Sequence, residues 1–377
     1  MIYLVCFLIS IILFHGLFKP YMLAGEQEHR YSAPIGLIVI CVLPTVILAT
    51  FRADTVGTDV MTYVKPYYLY AQKAGSFYAF HKVARLDVLY EIVTYLIARW
   101  LPSLCVLHMV NELLVMVPVV ISLCVVNETI SIPYDLAMIS FYFMFYNVSL
   151  NVVRQSIACA FFMLGFVYFY NKKYGYSVLF SLLATGFHVT AVFAVSFILF
   201  VKCFIVLQKK IGKWVTAAAI LTIFIMSFNI ERYIKPVIRF FPGVYSTKFN
   251  YYIAHKELAS GLGETYVVMK VLCIVILIIL LKNKYHSDFN SFLLIIQCFS
   301  LAMIPFTSKI AYTYRVLRYF DYLSILVFPQ IYMIVKKDVK SRFYAFFLVV
   351  LVMFMYWGIT FYIKNSGGTM PYKLMGL

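Results

Sequence analysis

The sequence predicts an all-α integral membrane protein, a polytopic bundle of roughly ten to twelve transmembrane helices with broken or re-entrant segments. Three observations lead there. Of 377 residues, 64% are hydrophobic and only 12% charged, with a mean hydropathy of +0.90, whereas soluble domains are near half apolar and a quarter charged. The apolar residues gather into runs at 1–18, 33–51, 86–101, 104–126, 132–150, 154–170, 176–201, 213–229, 266–282, 288–306, 313–335 and 343–363. Clusters of lysine stand between some of these runs, as they do in cytoplasmic loops. The chain therefore reads as a single polytopic membrane domain over 1–377. A soluble globular enzyme, a disordered chain, a collagen and a coiled coil are excluded.

The N-terminal run MIYLVCFLISIILFHGLF lacks a basic n-region and a small-residue cleavage site, so it reads as a first span and not a removed signal. The run 33–51 ends at Arg52, and 52–85 reads as a polar loop opening with FRADTVGTDVMTYVKPYYLY. The run 86–101 is short enough to be re-entrant. The run 176–201 lies between Lys172–Lys173 and the cluster Lys202, Lys209, Lys210 and Lys213. Two cytoplasmic clusters on either side of it suggest a broken pair of half-helices turning near Gly186-Phe187-His188. A third cluster, Lys336, Lys337, Lys340 and Arg342, precedes the last run. With these clusters inside, Asn147–Arg154 and the loop 230–265 fall outside, and counting spans places 52–85 inside. In the second loop Arg232, Lys235 and Arg239 recur at helical spacing, followed by Phe240 and Phe241. That pattern reads as an external, interfacial amphipathic segment interrupted at Pro236. Its Tyr245, Phe249, Tyr251 and Tyr252 suit either stacking on sugar rings or an interfacial aromatic belt.

Lys plus Arg number 32 against 15 Asp plus Glu, a net charge of +17. No zinc finger, RNP-like or helix-turn-helix pattern directs that charge to nucleic acid. The eight cysteines are spread singly, without a CxxC pair, and read as small apolar packing residues. There is no Walker motif, GxSxG elbow, HExxH or EF-hand loop. No carboxylate cluster offers itself to a metal, so neither metal nor cofactor is expected.

Arginines within or beside apolar runs carry the chemistry. In NVSLNVVRQSIACAFF, Asn151, Arg154, Gln155 and Ala158 stand at i, i+3, i+4 and i+7, one face of a helix. An arginine entering an apolar span costs at least a few kcal/mol unless it is paired. No carboxylate lies within helical reach of Arg154, so its partner comes from another helix or from an anionic ligand. In SKIAYTYRVLRYFDYLSILVFP, Arg315, Arg318, Tyr319 and Tyr322 repeat that spacing. Arg318 and Asp321 stand at i, i+3, where they can pair. Two guanidinium groups one turn apart also suit a diphosphate, because each can bind phosphate oxygens through a fork of N–H groups. Arg52 is followed by Gly57-Thr58-Asp59 and Tyr63. The Gly-Thr-Asp step reads either as a turn returning a carboxylate to the membrane surface or as a helix cap. His188, in GFHVTA, sits deep in an apolar run, where an imidazole is either structural or a general base.

Together these residues resemble the EpsG-type branch of the Wzy polysaccharide polymerases. The matching points are Arg52 with Gly57-Thr58-Asp59 and Tyr63, then Asn151-x-x-Arg154-Gln155-x-x-Ala158, then Phe187-His188-x-Thr190-Ala191, and Arg315-x-x-Arg318-Tyr319-Phe320 before Pro329. Many relatives have Ser where this chain has Thr190. The resemblance implies a multi-pass glycosyltransferase of the bacterial inner membrane. It would polymerise undecaprenyl-diphosphate-linked oligosaccharide repeat units at the outer face, in capsule, exopolysaccharide or O-antigen assembly. Its partners would be that lipid-linked oligosaccharide, the bilayer, and flippase and chain-length regulator proteins. Arg52, Asn151, Arg154, Gln155, Arg315, Arg318 and Tyr319 would bind substrate, and His188 or Asp59 would be the catalytic base, with His188 favoured. An exporter or flippase of lipid-linked oligosaccharide would use the same arginines without a base. A membrane sugar O-acyltransferase would use His188 as its base.

Overall fold

The computed structural model describes residues 1–27, 33–212, 214–228, 232, 250–251, 263–285, 287–310, 312–335 and 339–375. The amphipathic segment expected around Lys235, Arg239, Phe240 and Phe241, with Tyr245, Phe249 and Tyr252, lies outside the described residues. Among the described residues the protein is all-α, with one isolated antiparallel bridge between Arg52 and Leu374.

In chain order the helices are α1 (Ile2–Ala24), α2 (Ile35–Thr50), α3 (Lys65–Lys73), α4 (Phe77–Ala84), α5 (Val88–Trp100), α6 (Leu104–Asn127), α7 (Tyr134–Phe141), α8 (Asn147–Asn151), α9 (Val153–Tyr170), α10 (Tyr174–Phe187), α11 (Ala191–Ile211), α12 (Trp214–Phe228), α13 (Glu264–Lys282), α14 (Ser287–Ala302), α15 (Tyr314–Tyr322) and α16 (Val339–Trp357). Among the described residues, five stretches are long and apolar enough to cross a bilayer: α1, α6, α9, α13 and Phe343–Ile363, which runs from α16 into a π turn. Five shorter apolar helices of 10–17 residues accompany them. This is a polytopic membrane protein.

The chain divides into two compact units, Met1–Val192 with Phe328–Leu377, and Phe193–Val327. In the first, α9 is the core helix: it packs on α6 and α10, α6 packs on α2, and α2 packs on α1. Burial covers 78% of the apolar window of α9, as expected for a helix that is hydrophobic all round. Aromatic rings knit the two ends of the chain to α7 and α8. Phe7 stacks on Tyr142 with centroids 5.1 Å apart, and the Trp357 indole N–H donates to Asn147 Oδ1 at 2.8 Å. In the second unit α14 contacts both α12 and α13, and α15 packs on α14.

Two expectations about local structure change and one holds. The segment 52–85 is not an open loop but a π turn (Val60–Val64) followed by α3 and α4. Pro66 sits in the first turn of α3, where its missing N–H costs nothing, and Ser76 caps α4 by accepting from the Ala79 N–H. The run 313–335 is not one span: the nine-residue α15 gives way to 3-10 turns at Leu323–Leu326 and Phe328–Gln330. Pro329 cannot continue an α-helix there. The run 176–201 is broken where expected, into α10 and α11, at His188, which takes an extended conformation, φ −159° and ψ 116°.

Counting spans had put 52–85 and Asn147–Arg154 at opposite faces. In the structure the Thr58 hydroxyl and the Asp59 N–H both donate to Asn151 Oδ1, at 3.0 and 2.9 Å. Groups that hydrogen-bond directly share a face, so the turn after Arg52 lies with Asn151. The span count had taken 86–101 as a crossing. Its 13-residue helix α5 is about 20 Å long, short of the roughly 30 Å hydrocarbon core.

Candidate functional site

The site of the first unit is assembled from four stretches that are far apart in sequence: Arg52–Tyr63, Asp87–Tyr90, Leu150–Gln155 and Phe187–Thr190. Its floor is a break in the backbone. Asn151 ends α8, and Val152, with φ −91° and ψ 61°, interrupts the helical run before α9 begins. The carbonyls at that helix end lack intrahelical donors. Arg52 supplies one: it is 2% exposed, and its Nη1 donates to the Leu150 carbonyl at 2.6 Å. Its Nη2 donates to His108 Nδ1 at 3.3 Å. Burial lowers the Arg52 pKa from the ordinary arginine value, and the buried Glu112 carboxylate opposes that shift. Glu112 is itself held by the Ser149 hydroxyl, 3.1 Å away. Arg52 thus shapes the backbone beneath the site.

Gly57 makes the next turn possible. Its φ is +97°, and a Cβ there would stand 2.6 Å from the Leu150 carbonyl oxygen. Only glycine allows both the conformation and the approach. The turn is held on its other side by the C-terminal segment: Gly57 N–H donates to Gly368 O at 2.9 Å, and Thr58 N–H to Gly367 O at 3.1 Å. Gly367, φ +82°, lies against Asn151, whose Nδ2 would be 2.8 Å from an added Cβ. Thr369 completes the clasp, with its hydroxyl accepting from Asn147 Nδ2 at 3.0 Å and its carbonyl accepting from the Tyr3 hydroxyl at 2.8 Å.

Arg154 stands in the first turn of α9. The expected face of Asn151, Arg154, Gln155 and Ala158 is split by the Val152 break. Asn151 turns to the Thr58 hydroxyl and the Asp59 N–H, while Gln155 and Ala158 are fully buried. Arg154 keeps 22% of its side chain exposed. Its Nη1 donates to Asp87 Oδ2 at 2.8 Å, so its partner comes from another helix. The rings of Tyr63 and Tyr90 lie 5.8 and 6.0 Å from the guanidinium carbon, within the range where a ring face attracts a cation. The second oxygen of Asp87 accepts the Val189 N–H at 2.9 Å. One carboxylate therefore joins Arg154 to the turn that carries His188.

His188 is 8% exposed. Its Nδ1 lies 2.7 Å from the Thr190 hydroxyl and accepts the Thr190 N–H at 3.3 Å. A backbone N–H can only donate, so Nδ1 is the acceptor, and a neutral ring then carries its proton on Nε2.

The second unit holds the other arginine pair. On α15 the guanidinium carbons of Arg315 and Arg318 lie 4.3 and 5.5 Å from the ring centres of Tyr312 and Tyr314. Asp321 does not pair with Arg318. Its carboxylate accepts from Lys270 Nζ at 2.5 Å and from the Tyr266 hydroxyl at 2.8 Å, both on α13. Lys270, a cation on another helix, outcompetes the i, i+3 partner Arg318 because the pair it forms is buried, with Lys270 only 4% exposed. Tyr319 is fully buried.

A model of the EpsG family matches residues 35–374. The chain belongs to the EpsG family. No curated protein and no solved structure matches it. The match covers each stretch of the site, from Arg52 to the C-terminal clasp. EpsG membership makes this chain a polymerase-type membrane protein of polysaccharide biosynthesis.

Several residues of this EpsG-family site were not singled out from sequence. Asp87 precedes α5 where a helix cap is expected, yet its side chain makes no cap bond and serves Arg154 instead. His108, Asn111 and Glu112 fall at i, i+3 and i+4 inside an apolar run, a spacing that marks a polar face. The adjacent Gly367-Gly368, next to a hydrophobic end, was the signal for the clasp.

Proposed function

We propose that this protein polymerises oligosaccharide repeat units carried on undecaprenyl diphosphate, by glycosyl transfer at the outer face of a bacterial inner membrane. The observation that supports it most is the Asp87 carboxylate, which fixes an arginine fork and a histidine turn side by side in an EpsG-family chain. In this reading the bond between the anomeric carbon of the growing chain and its lipid diphosphate breaks. A hydroxyl of the incoming unit forms the new bond to that carbon and loses its proton. Negative charge accumulates on the departing diphosphate, and fixed cations stabilise it. Arg154 uses one edge of its fork on Asp87 and has further N–H donors for phosphate oxygens. Arg315 and Arg318, one turn apart, take a lipid diphosphate in the second unit. Arg52 and Asn151 act by holding the backbone and the Gly57–Asp59 turn.

With its proton on Nε2, His188 acts as a donor to the developing oxyanion. Asp59 accepts the hydroxyl proton, which becomes acidic as the new bond forms. Glutamine separates this from the base role expected of His188. His188→Gln keeps an N–H donor but has no titratable base. It is expected to retain a measurable fraction of transfer, with His188→Ala lower by about tenfold and Asp59→Asn inactive. The measurement is chain growth by purified variants on lipid-linked repeat units. His188→Gln as dead as His188→Ala, with Asp59→Asn active, would return the base to His188.

A further inference from the structure

A buried polar cluster in the second unit is not used by any of this chemistry. Lys270 lies in the second turn of α13, 4% exposed, inside a 19-residue apolar helix. A lysine there is costly to bury without partners. Its Nζ donates to Asp321 Oδ1 at 2.5 Å and to Gln297 Oε1 at 2.6 Å. Gln297, fully buried on α14, passes the restraint on: its Nε2 donates to the Phe320 carbonyl at 3.0 Å. Tyr266, one turn before Lys270, donates its hydroxyl to the same Asp321 oxygen at 2.8 Å. The C-terminal end of α15 is thus held by α13 and α14 at both a side chain and a backbone carbonyl.

The consequence falls on Arg318. It stands three residues before Asp321 on α15, the spacing at which an arginine and an aspartate pair along a helix. Its Nη1 is nevertheless buried with no hydrogen-bond partner among the described residues. The acid that would claim it is turned away by Lys270 and Tyr266. We propose that Lys270 is a positioning residue that keeps Asp321 off Arg318, leaving that guanidinium to an anionic lipid diphosphate. This rests on the reading of Arg318 as an anion-binding group and adds the device that keeps it available.

The inference gives an unusual double-variant pattern. In Lys270→Met, Asp321 loses its cation and swings to Arg318, so the arginine is occupied. Removing the acid's charge as well, in Lys270→Met/Asp321→Asn, releases Arg318 again. The probe is undecaprenyl diphosphate, titrated against the full-length protein in lipid nanodiscs, with thermal stability recorded beside it. Lys270→Met is expected to weaken binding about tenfold, as for a lost charge-assisted hydrogen bond. The double variant and Asp321→Asn alone are expected within about threefold of the natural protein, and Lys270→Arg likewise. A role in stability alone predicts the reverse, with the double variant no better than Lys270→Met. That result overturns the proposal. If Lys270→Met fails to insert, Tyr266→Phe removes one of the two groups holding Asp321. It should weaken binding about threefold, reversed by Asp321→Asn, and no change in Tyr266→Phe overturns the proposal equally. Arg318→Ala separates the two layers. Unaltered binding in Arg318→Ala refutes the anion-binding reading itself, whereas weakened binding there with no rescue in the double variant refutes only the role of Lys270.

Discussion

Arg154→Lys is expected to abolish most polymer formation while the protein still inserts normally. The substitution keeps one positive charge at the start of α9, so any role satisfied by charge alone survives it. What it removes is the planar fork. Arg154 places Nη1 on Asp87 and lies between the rings of Tyr63 and Tyr90. A guanidinium can hold that carboxylate along one edge and present its remaining donors to phosphate oxygens. A lysine ammonium is a point charge that must choose between Asp87 and the ligand, and Asp87 is always present. The loss of preorganised charge at the leaving group corresponds to a decrease of about 100-fold in turnover. The check is chain length in cells whose only copy carries Arg154→Lys, with the abundance of the membrane protein measured in parallel. Full-length polymer would refute the fork geometry.

Gly57→Ala is expected to be nearly as damaging, by a different route. At φ +97° an alanine is strained, and its Cβ would sit 2.6 Å from a backbone oxygen that cannot rotate away, because Arg52 holds that Leu150 carbonyl. Strain of on the order of 1–3 kcal/mol combines with an overpacking cost of similar size. The turn must lift; Thr58 and Asp59 then lose Asn151, and Gly57 and Thr58 lose the Gly368 and Gly367 carbonyls. The unfolding temperature of the purified protein should fall, and transfer should fall further than stability explains, because Asp59 is displaced. An alanine variant with unchanged melting and unchanged chain growth would show that the close approach has no functional weight.

The helical membrane architecture was legible in the sequence because burial in lipid leaves its mark in composition: long apolar runs can satisfy their backbone only as helices. The break at His188 was legible from the two lysine clusters flanking 176–201. Elsewhere the signal was local and the answer was not. The i, i+3, i+4 spacing of Asn151, Arg154 and Gln155 implied one helical face. The helix breaks at Val152 because Arg52, 98 residues away in sequence, takes the Leu150 carbonyl. The same limit hid the partner of Arg154: Asp87 lies 67 residues before it. Asp321 was in reach of Arg318 by spacing, and only packing of α13 on α15 gives that acid to Lys270. Spacing along one helix cannot report a competitor on another.

The central claim is that this membrane protein makes glycosidic bonds between lipid-linked units and does not merely move them. The most direct measurement places the purified protein in nanodiscs with undecaprenyl-diphosphate-linked repeat units and follows two products together: a ladder of longer saccharides and free undecaprenyl diphosphate. The account predicts both, with one lipid diphosphate released for each bond formed, and both slowed about 100-fold with Arg154→Lys. A nanodisc has no second compartment, so transport leaves no trace there. An unchanged single-repeat substrate, together with translocation of that substrate across liposomes holding the same preparation, would contradict the account and assign the arginines to an exporter.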